Sequence, residues 1–310
     1  MNFIFEIRCN LRKAKSKKRR ILGLRSKRED KMKKLEYGYY EGERALYNSH
    51  NMHLVEATFA NGESPLKESS DLQLSGGIFK WKYPLWYCKN VRANGTTLLD
   101  TARSGIWYTH NIEMTDCFIE APKTFRRSSG ITLRRCHLPN AQETLWNCKD
   151  IELYDVTAKG DYFALNSENI KCENFILDGN YAFDGAKNIE VRNAKMLSKD
   201  SFWNTENVTV YDSLIVGEYL GWNSRNLTFV NCTIDSNQGM CYMENIKMVN
   251  CKLLNTDLCF ELSTVDAEIT SPIISVKNPI SGRIHAESIG EIILDKDIID
   301  PGKTEITTDK

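Results

Sequence analysis

The fold is decided by residues 203–232, which read "WNTENVTVYDSLIVGEYLGWNSRNLTFVNC". Within this stretch the segment 203–210, WNTENVTV, returns 19 residues later as the segment 222–229, WNSRNLTF. A short, fixed period of this kind is typical of a solenoid, in which each repeat packs against the repeats before and after it. The Trp-Asn pair comes back at the same phase, so equal positions in successive repeats are expected to lie side by side.

The same period extends over most of the chain. If the residue before each strand-like triplet is taken as an anchor, eleven units spaced by 19 to 21 residues begin at Asn51, Ser70, Asn90, Asn111, Gly130, Asp150, Asn169, Asn188, Asn207, Asn226 and Asn245. One and three residues after the anchor the side chains are apolar, and the residue between them is polar, which predicts a strand. Asn or Asp follows two residues later and predicts a turn.

These units contain no helical periodicity. The sequence therefore predicts an all-β, right-handed parallel β-helix of about 11 coils of 19–21 residues, with an irregular C-terminal cap. The recurring anchor asparagines are expected to form a ladder of stacked side-chain amides along the rod. Coils are predicted over residues 35–262, and residues 263–310 are predicted to form capping strands of the same domain.

Residues 1–34 differ from the rest in charge. They hold 14 Lys/Arg and 3 Asp/Glu, whereas the remainder has a net charge of −11. Three interpretations remain open: a disordered basic arm that touches nucleic acid or anionic lipid, a weak membrane-surface anchor, or a start codon placed too far upstream, with Met32 as the alternative. For the acidic body we expect no nucleic-acid binding. There is no run of 18 apolar residues, so no membrane span is expected.

The sequence offers no motif for a metal or a cofactor. The five histidines do not form HExxH, and neither a Walker loop nor GxSxG occurs. Seven of the cysteines fall into shared repeat positions that are predicted to point inward: Cys117, Cys136, Cys232 and Cys251; Cys172; Cys88 and Cys148. Buried free thiols act as small apolar side chains. We therefore expect no metal site, no cofactor and a reducing, cytoplasmic location.

Five of the six tryptophans lie four residues before their anchor, namely Trp86, Trp107, Trp146, Trp203 and Trp222. We call this position the tryptophan column. Arg126 and Asp184 share it, and burying their charges would be costly, which favours an outward orientation. The alternative is an internal aromatic stack.

An outward aromatic column beside amides and carboxylates suits an oligosaccharide or polysaccharide, because flat rings stack on sugar faces. The predicted binding residues are Trp86, Trp107, Arg126, Trp146, Asn147, Asn166, Tyr181, Trp203, Asn204, Tyr219, Trp222 and Asn223. The candidate catalytic acids are Glu143, Asp184 and Asp200. Carboxylates on adjacent or alternate coils would be ~5 or ~10 Å apart, near the separations that glycosidases use. The rival hypothesis is a non-enzymatic interaction rod that forms a homo-oligomer through the tryptophan column.

Several segments resemble an uncharacterised bacterial family, catalogued as domain-of-unknown-function family 3737. They include KYPLWYCKNV (82–91), SGIWYTHNIEMTDC (104–117), LPNAQETLWNC (138–148) and LDGNYAFDGAKNIEVRN (177–193). The resemblance covers about Tyr37 to Ile299 and implies a pectin-lyase-like β-helix, but it brings no established activity. If the protein is an enzyme, the resemblance implies a hydrolase, lyase or isomerase acting on an oligosaccharide. The DD and GHG motifs of polygalacturonases are absent, as is a pectate-lyase calcium pattern, which disfavours pectin cleavage.

Overall fold

The computed structural model describes residues 32–309, so the predictions for residues 1–31 lie outside the described part. The strands form two parallel faces. The longer face, sheet A, contains β1 (Lys33–Glu36), β3 (His50–Val55), β5 (Ser70–Ser75), β7 (Lys89–Asn94), β9 (His110–Thr115), β11 (Ser129–Arg134), β13 (Lys149–Tyr154), β15 (Glu168–Glu173), β17 (Lys187–Arg192), β19 (Glu206–Tyr211), β21 (Arg225–Val230), β23 (Glu244–Leu254), β24 (Thr264–Lys277), β25 (Ser281–Ile293) and β26 (Thr304–Thr308).

The shorter face, sheet B, contains β2 (Tyr39–Tyr40), β4 (Thr58–Phe59), β6 (Ile78–Phe79), β8 (Thr97–Leu98), β10 (Phe118–Ile119), β12 (His137–Leu138), β14 (Thr157–Lys159), β16 (Ile176–Asp178), β18 (Lys195–Leu197), β20 (Leu214–Val216) and β22 (Thr233–Asp235), and it is continued by the end of β23. Two short 3₁₀ turns, Asp100–Ala102 and Pro301–Lys303, are the only helical segments among the described residues.

The predicted stacking is confirmed. Val208 pairs with Leu227 and Val210 pairs with Phe229 across adjacent parallel strands, as the repeat in residues 203–232 requires. The predicted number of coils was low, since the solenoid has about 15 turns. The extra turns come from β1 and from β24–β26, whose strands continue the parallel pairing. They lack the 19-residue period because β24 and β25 are 14 and 13 residues long, with register shifts near Cys251 and Pro272.

One predicted anchor was displaced by a residue. His50 pairs with Ser70, so Asn51 lies beside Asp71 and not beside Ser70. Asn51 and Asp71 both adopt left-handed backbone, with φ of 53° and 56°. Asn and Asp tolerate this region better than most residues do, which is why the anchor position selects them.

The predicted ladder of side-chain amides is confirmed. Each anchor Asn donates its Nδ2 hydrogen to the side-chain oxygen of the preceding coil, at 2.8 Å from Asn169 to Asp150 and 3.0 Å from Asn207 to Asn188. Asn188, Asn226 and Asn245 continue the ladder. Because the amides donate toward the N-terminus, the first member needs only to accept, and Asp150 does so.

This direction predicts the effect of moving a carboxylate. Asn207→Asp removes the hydrogen that Asn207 donates to Asn188, and it leaves two oxygens facing each other. We expect a loss of about 0.5–1.5 kcal/mol in the free energy of unfolding, measured by chemical denaturation. The matched control is Asp150→Asn, which keeps the acceptor for Asn169 at the start of the ladder. An equal loss in both variants would contradict the assigned direction.

The core lies between the two sheets and is continuous along the rod. Its largest side chains include Phe163, Phe175, Phe183 and Phe202, all fully buried. The ring centroids of Phe183 and Phe202 are 5.2 Å apart in parallel planes, and Phe163 and Phe175 lie edge-on to Phe183 at 6.2 and 6.5 Å. This cluster fills the interior of the coils between residues 163 and 202.

The cysteines are placed as predicted. The nine in the described part are buried and free, including Cys117, Cys136 and Cys172. Burial raises the pKa of the Cys88 and Cys148 thiols to about 12, so both stay protonated and unreactive at neutral pH.

Candidate functional site

The backbone on either side of the tryptophan column decides where its side chains point. Trp146 lies between Leu145 and Asn147, which both adopt left-handed backbone with φ of 61° and 52°. Leu145 is buried, Asn147 is exposed, and Trp146 is half-buried between them. The same arrangement surrounds Trp203, between Phe202 and Asn204. Left-handed backbone is costly for Leu and Phe, and full burial of their side chains offsets that cost.

Each tryptophan of the column is fixed by a hydrogen bond to the next coil. The indole nitrogen donates to a backbone carbonyl in all five cases: Trp86 to Ser104, Trp107 to Lys123, Trp146 to Tyr162, Trp203 to Tyr219 and Trp222 to Gln238, at 2.6 to 2.8 Å. The rings are half-buried. They are therefore neither an internal stack nor freely projecting side chains, but lie bound against the surface of the rod.

The column forms two separate stacks. In the first, the rings of Trp86 and Trp107 are parallel with centroids 5.1 Å apart. The Arg126 guanidinium continues this stack, 5.0 Å from the centroid of Trp107 and 4.3 Å from that of Trp146. The second stack is Trp203 and Trp222, parallel at 5.8 Å. Ring faces inside the stacks are therefore occupied by other side chains of the protein.

Two coils without a tryptophan separate the stacks. Their column positions hold the smaller side chains Leu165 and Asp184. Tyr162 and Tyr181 bridge the gap, with parallel rings 4.7 Å apart. Tyr162 lies edge-on to Trp146 at 6.3 Å, and Tyr181 lies edge-on to Trp203 at 6.4 Å.

We call these four residues, Trp146, Tyr162, Tyr181 and Trp203, the aromatic frame. Among the described residues, Arg126 is the one group stacked on Trp146, and Trp222 is the one ring stacked parallel to Trp203. The faces of Trp146 and Trp203 that look into the gap therefore carry no parallel ring or cation. Three coils separate the two tryptophans, a span of ~14 Å.

The predicted asparagines lie beside the frame. Asn147, Asn166 and Asn204 are exposed on left-handed backbone, and Asn204 donates to the Asp184 carboxylate at 2.8 Å. The structure thus brings Trp146, Asn147, Asn166, Tyr181, Trp203 and Asn204 into one region. It places Trp86, Trp107, Tyr219, Trp222 and Asn223 further along the rod, and Tyr219 lies edge-on to Trp222.

The three candidate acids differ in their surroundings. Glu143 is paired with both Lys123 and Arg126, which stabilise its charged form. Asp184 accepts the hydrogen bond from Asn204. Asp200 is 9% exposed, and this burial together with the nearby charge of Glu218 raises its pKa. Of the three, Asp200 is the carboxyl group that best retains a proton above the usual range.

Tyr181 and Asp200 are coupled. Their side chains share a hydrogen bond, and the charge of Asp200 raises the pKa of the Tyr181 hydroxyl. This contact joins a buried carboxyl group to one corner of the aromatic frame. Tyr162 was not among the predicted binding residues, although it precedes Tyr181 by 19 residues and occupies the same phase of the repeat. That shared phase was the signal by which the sequence reveals it.

A surface groove of about 480 Å³ lies next to this region, beside Asn204, Asn223 and Tyr242. Its charges are balanced locally, because Glu206 is paired with Lys187 at 3.3 Å and with Arg225 at 2.8 Å. These two cations lower the pKa of Glu206. The groove therefore extends the amide-rich surface without adding an unpaired charge from these three residues.

Two further searches of residues 32–309 gave negative results. No cluster of three or more His, Cys, Asp or Glu side chains is arranged to hold a metal ion. No helix in this part of the chain combines the length and apolar character of a membrane span.

Fold and surface together define a parallel β-solenoid with an interrupted aromatic column. The chain belongs to the DUF3737 family, described as proteins of unknown function, whose model matches residues 33–307. Among proteins with curated functions, none matches this chain. The predicted family resemblance is confirmed.

Solved structures with a similar fold share little sequence with this chain. The surface adhesin PfbA of Streptococcus pneumoniae is 11% identical, with 73% of this chain and 83% of that chain covered and a TM-score of 0.45. The A-module of the mannuronan C-5 epimerase AlgE4 of Azotobacter vinelandii is 10% identical, covering 89% and 86%, with a TM-score of 0.31. The tailspike protein of E. coli bacteriophage HK620, in complex with a pentasaccharide, is 9% identical, covering 84% and 70%, with a TM-score of 0.36.

Proposed function

We propose that this protein binds an oligosaccharide at the aromatic frame. The observation that carries the proposal is the gap between the two tryptophan stacks, where Trp146 and Trp203 each turn one unstacked face toward Leu165 and Asp184. Sugars present flat apolar C–H faces and a rim of hydroxyl groups. They are bound by aromatic faces flanked by polar side chains in a fixed geometry.

The frame supplies both kinds of group. Tyr162 and Tyr181 provide aromatic surface between the two indoles, and Asn147, Asn166 and Asn204 provide exposed amides that donate to and accept from hydroxyl groups. The gap spans ~14 Å between Trp146 and Trp203, enough for a sugar chain to lie across the rod and insert a ring between the indoles.

The frame is also rigid. The indole nitrogens of Trp146 and Trp203 are bound to backbone carbonyls, and the interior beneath the frame is filled by the cluster of Phe163, Phe175, Phe183 and Phe202. Little side-chain entropy would be lost on binding, which favours affinity.

The test compares two tryptophans of the same column. The full chain is applied to a broad glycan array, and the glycan bound most strongly is titrated by calorimetry against wild type, Trp203→Ala and Trp86→Ala. Both variants lose an indole with the same type of hydrogen bond, but Trp203 belongs to the frame and Trp86 does not. We expect Trp203→Ala to weaken binding by about tenfold or more, the equivalent of about 1.4 kcal/mol, and Trp86→Ala to leave it nearly unchanged.

Two outcomes would overturn the proposal: no glycan is bound by the wild-type chain, or both variants bind as tightly as wild type. Thermal denaturation of both variants shows whether each remains folded. Incubating the bound glycan with wild type and with Asp200→Asn separates binding from turnover. Cleavage by the wild type that is lost in Asp200→Asn would give Asp200 a role as general acid, and an intact glycan would leave the protein a binding module.

A further inference from the structure

The outer face of sheet B changes character along the rod. From β4 to β12 its strands are two residues long, and from β14 to β22 they are three residues long. The third residue adds a second outward column that the first half of the rod lacks. In this wider part the first outward column is Ile176, Lys195, Leu214, Thr233 and Lys252. The second is Asp178, Leu197, Val216, Asp235 and Leu254.

We call these two columns the sheet B patch. Four of its aliphatic side chains are unusually exposed, with exposed fractions of 48% for Ile176, 54% for Leu197, 37% for Leu214 and 42% for Leu254. Val216 is half-buried beside Leu197. In the first half of the rod the same face presents mainly polar residues, among them Thr58, Thr97 and His137, with Ile78 and Phe118 as exceptions.

The charges of the patch are arranged around its centre. Leu214 and Val216 occupy the central coil. Lys195 lies one coil before it and Asp235 one coil after it, in the other column. Within residues 32–309 neither of these two side chains forms an ion pair, and Asp235 accepts only the amide of Asn255 at 2.9 Å. Lys252 likewise has no acidic partner in the described part of the chain, whereas Asp178 is paired with Lys159.

We propose that the sheet B patch is the contact surface for a second copy of this chain, packed face to face with its rod antiparallel. A two-fold axis through the central coil, lying in the interface and perpendicular to the rod, sets Leu214 against Leu214 of the second copy and Val216 against Val216. The same operation brings Lys195 of each copy beside Asp235 of the other. Such self-complementarity is what a two-fold homodimer requires. It follows from the order of residues along two columns and is independent of the sugar-binding proposal.

The size of the patch sets the expected strength. Five coils extend over ~20 Å, so the area covered is well below the ~800 Å² per partner of a standard stable interface. The dimer is therefore weak and concentration-dependent. Its aliphatic centre supplies the attraction, and the two Lys195–Asp235 contacts select the antiparallel register.

The test is sedimentation velocity on the full-length chain at increasing concentration, up to ~1 mM, because interfaces of this size are transient. We expect the dimer fraction to rise with concentration in the wild type. Leu214→Glu places two like charges on the symmetry axis and is expected to weaken dimerisation by about tenfold or more. The matched control Ile78→Glu changes an exposed aliphatic residue on the same face outside the patch and is expected to have no effect.

A charge exchange tests the register. Lys195→Glu is expected to weaken the dimer, and adding Asp235→Lys is expected to restore it. A strictly monomeric wild type over the whole concentration range would refute the proposal. So would a dimer that survives Leu214→Glu but is lost in Trp203→Ala, because that result places the contact on the tryptophan column. Failure of the double exchange to restore dimerisation would refute the antiparallel register.

Discussion

Phe183→Ala is expected to lower the free energy of unfolding by about 3–5 kcal/mol, the range for removing a fully buried phenylalanine ring. The ring of Phe183 is stacked on Phe202 and lies edge-on to Phe163 and Phe175. Removing it opens a cavity at the centre of this cluster. The backbone constrains relaxation, because each coil is hydrogen-bonded to the coils before and after it. Left-handed backbone at Phe183 does not distinguish the two side chains, since Ala is equally disfavoured there.

The matched control is Phe118→Ala, in which the same ring is removed from a side chain that is 41% exposed on sheet B. We expect it to cost less than about 1 kcal/mol, as surface substitutions generally do. Both variants are compared by denaturant unfolding followed by circular dichroism and by tryptophan fluorescence, since a solenoid can unfold in parts. Coincident transitions would show cooperative unfolding. Equal losses in the two variants would contradict the assignment of Phe183 to the core.

The repeat was readable from sequence because each coil obeys the same local rules. Left-handed backbone at the anchor selects Asn or Asp, and the alternating strand that follows selects apolar residues at two fixed positions. Where one rule weakened, the prediction shifted: at residues 70–71 Ser and Asp stand side by side, and the wrong one was chosen. Beyond Ser263 the strands lengthen, so the period disappears although the stacking continues. A fixed period cannot detect coils of unequal length.

The candidate site was predicted less completely. Sequence phase placed Trp146, Arg126 and Trp203 in one column, but it carries no information on how their rings are oriented. The position of Arg126 between two indoles, and the hydrogen bond from each indole to the next coil, depend on side-chain rotamers in three neighbouring coils. The gap between the stacks was visible in the sequence as Leu165 and Asp184. It was taken as an imperfection of the column, whereas the structure makes it the part with unoccupied ring faces.

The clearest omission is a column of buried hydroxyl groups two residues before the anchor. The sequence drew attention to Cys88 and Cys148 there, but most positions hold Ser or Thr. Ser224 is representative: its Oγ accepts a hydrogen bond from the Thr205 backbone N–H at 2.8 Å and donates to the Phe202 carbonyl at 2.5 Å. Thr109, Ser128, Ser167 and Ser263 make equivalent contacts. A small polar residue at a repeated position gives no hydrophobic signal, which is why its role was missed.

This column leads to the last prediction. Ser224→Ala leaves the Thr205 N–H and the Phe202 carbonyl without their partner in a buried coil, and each unsatisfied group costs ~1–3 kcal/mol. We expect a loss of about 2–4 kcal/mol in the free energy of unfolding. Ser224→Thr should recover most of it, because Thr109 makes the same two bonds in its own coil. Ser224→Cys should fall between them, since the Cys148 thiol at this position donates to a carbonyl but a thiol is a poor acceptor.

The order of the three variants, measured by denaturant unfolding, separates two explanations of the column. If hydrogen bonding at Ser224 stabilises the coil, stability falls in the order Thr, Cys, Ala, although Cys and Ala are the more apolar side chains. If the position merely requires a small side chain in the core, Ala and Cys equal or exceed the wild type and Thr is the worst. The second order would exclude the hydroxyl column as a source of stability and would leave the backbone hydrogen bonds between coils to hold this side of the rod.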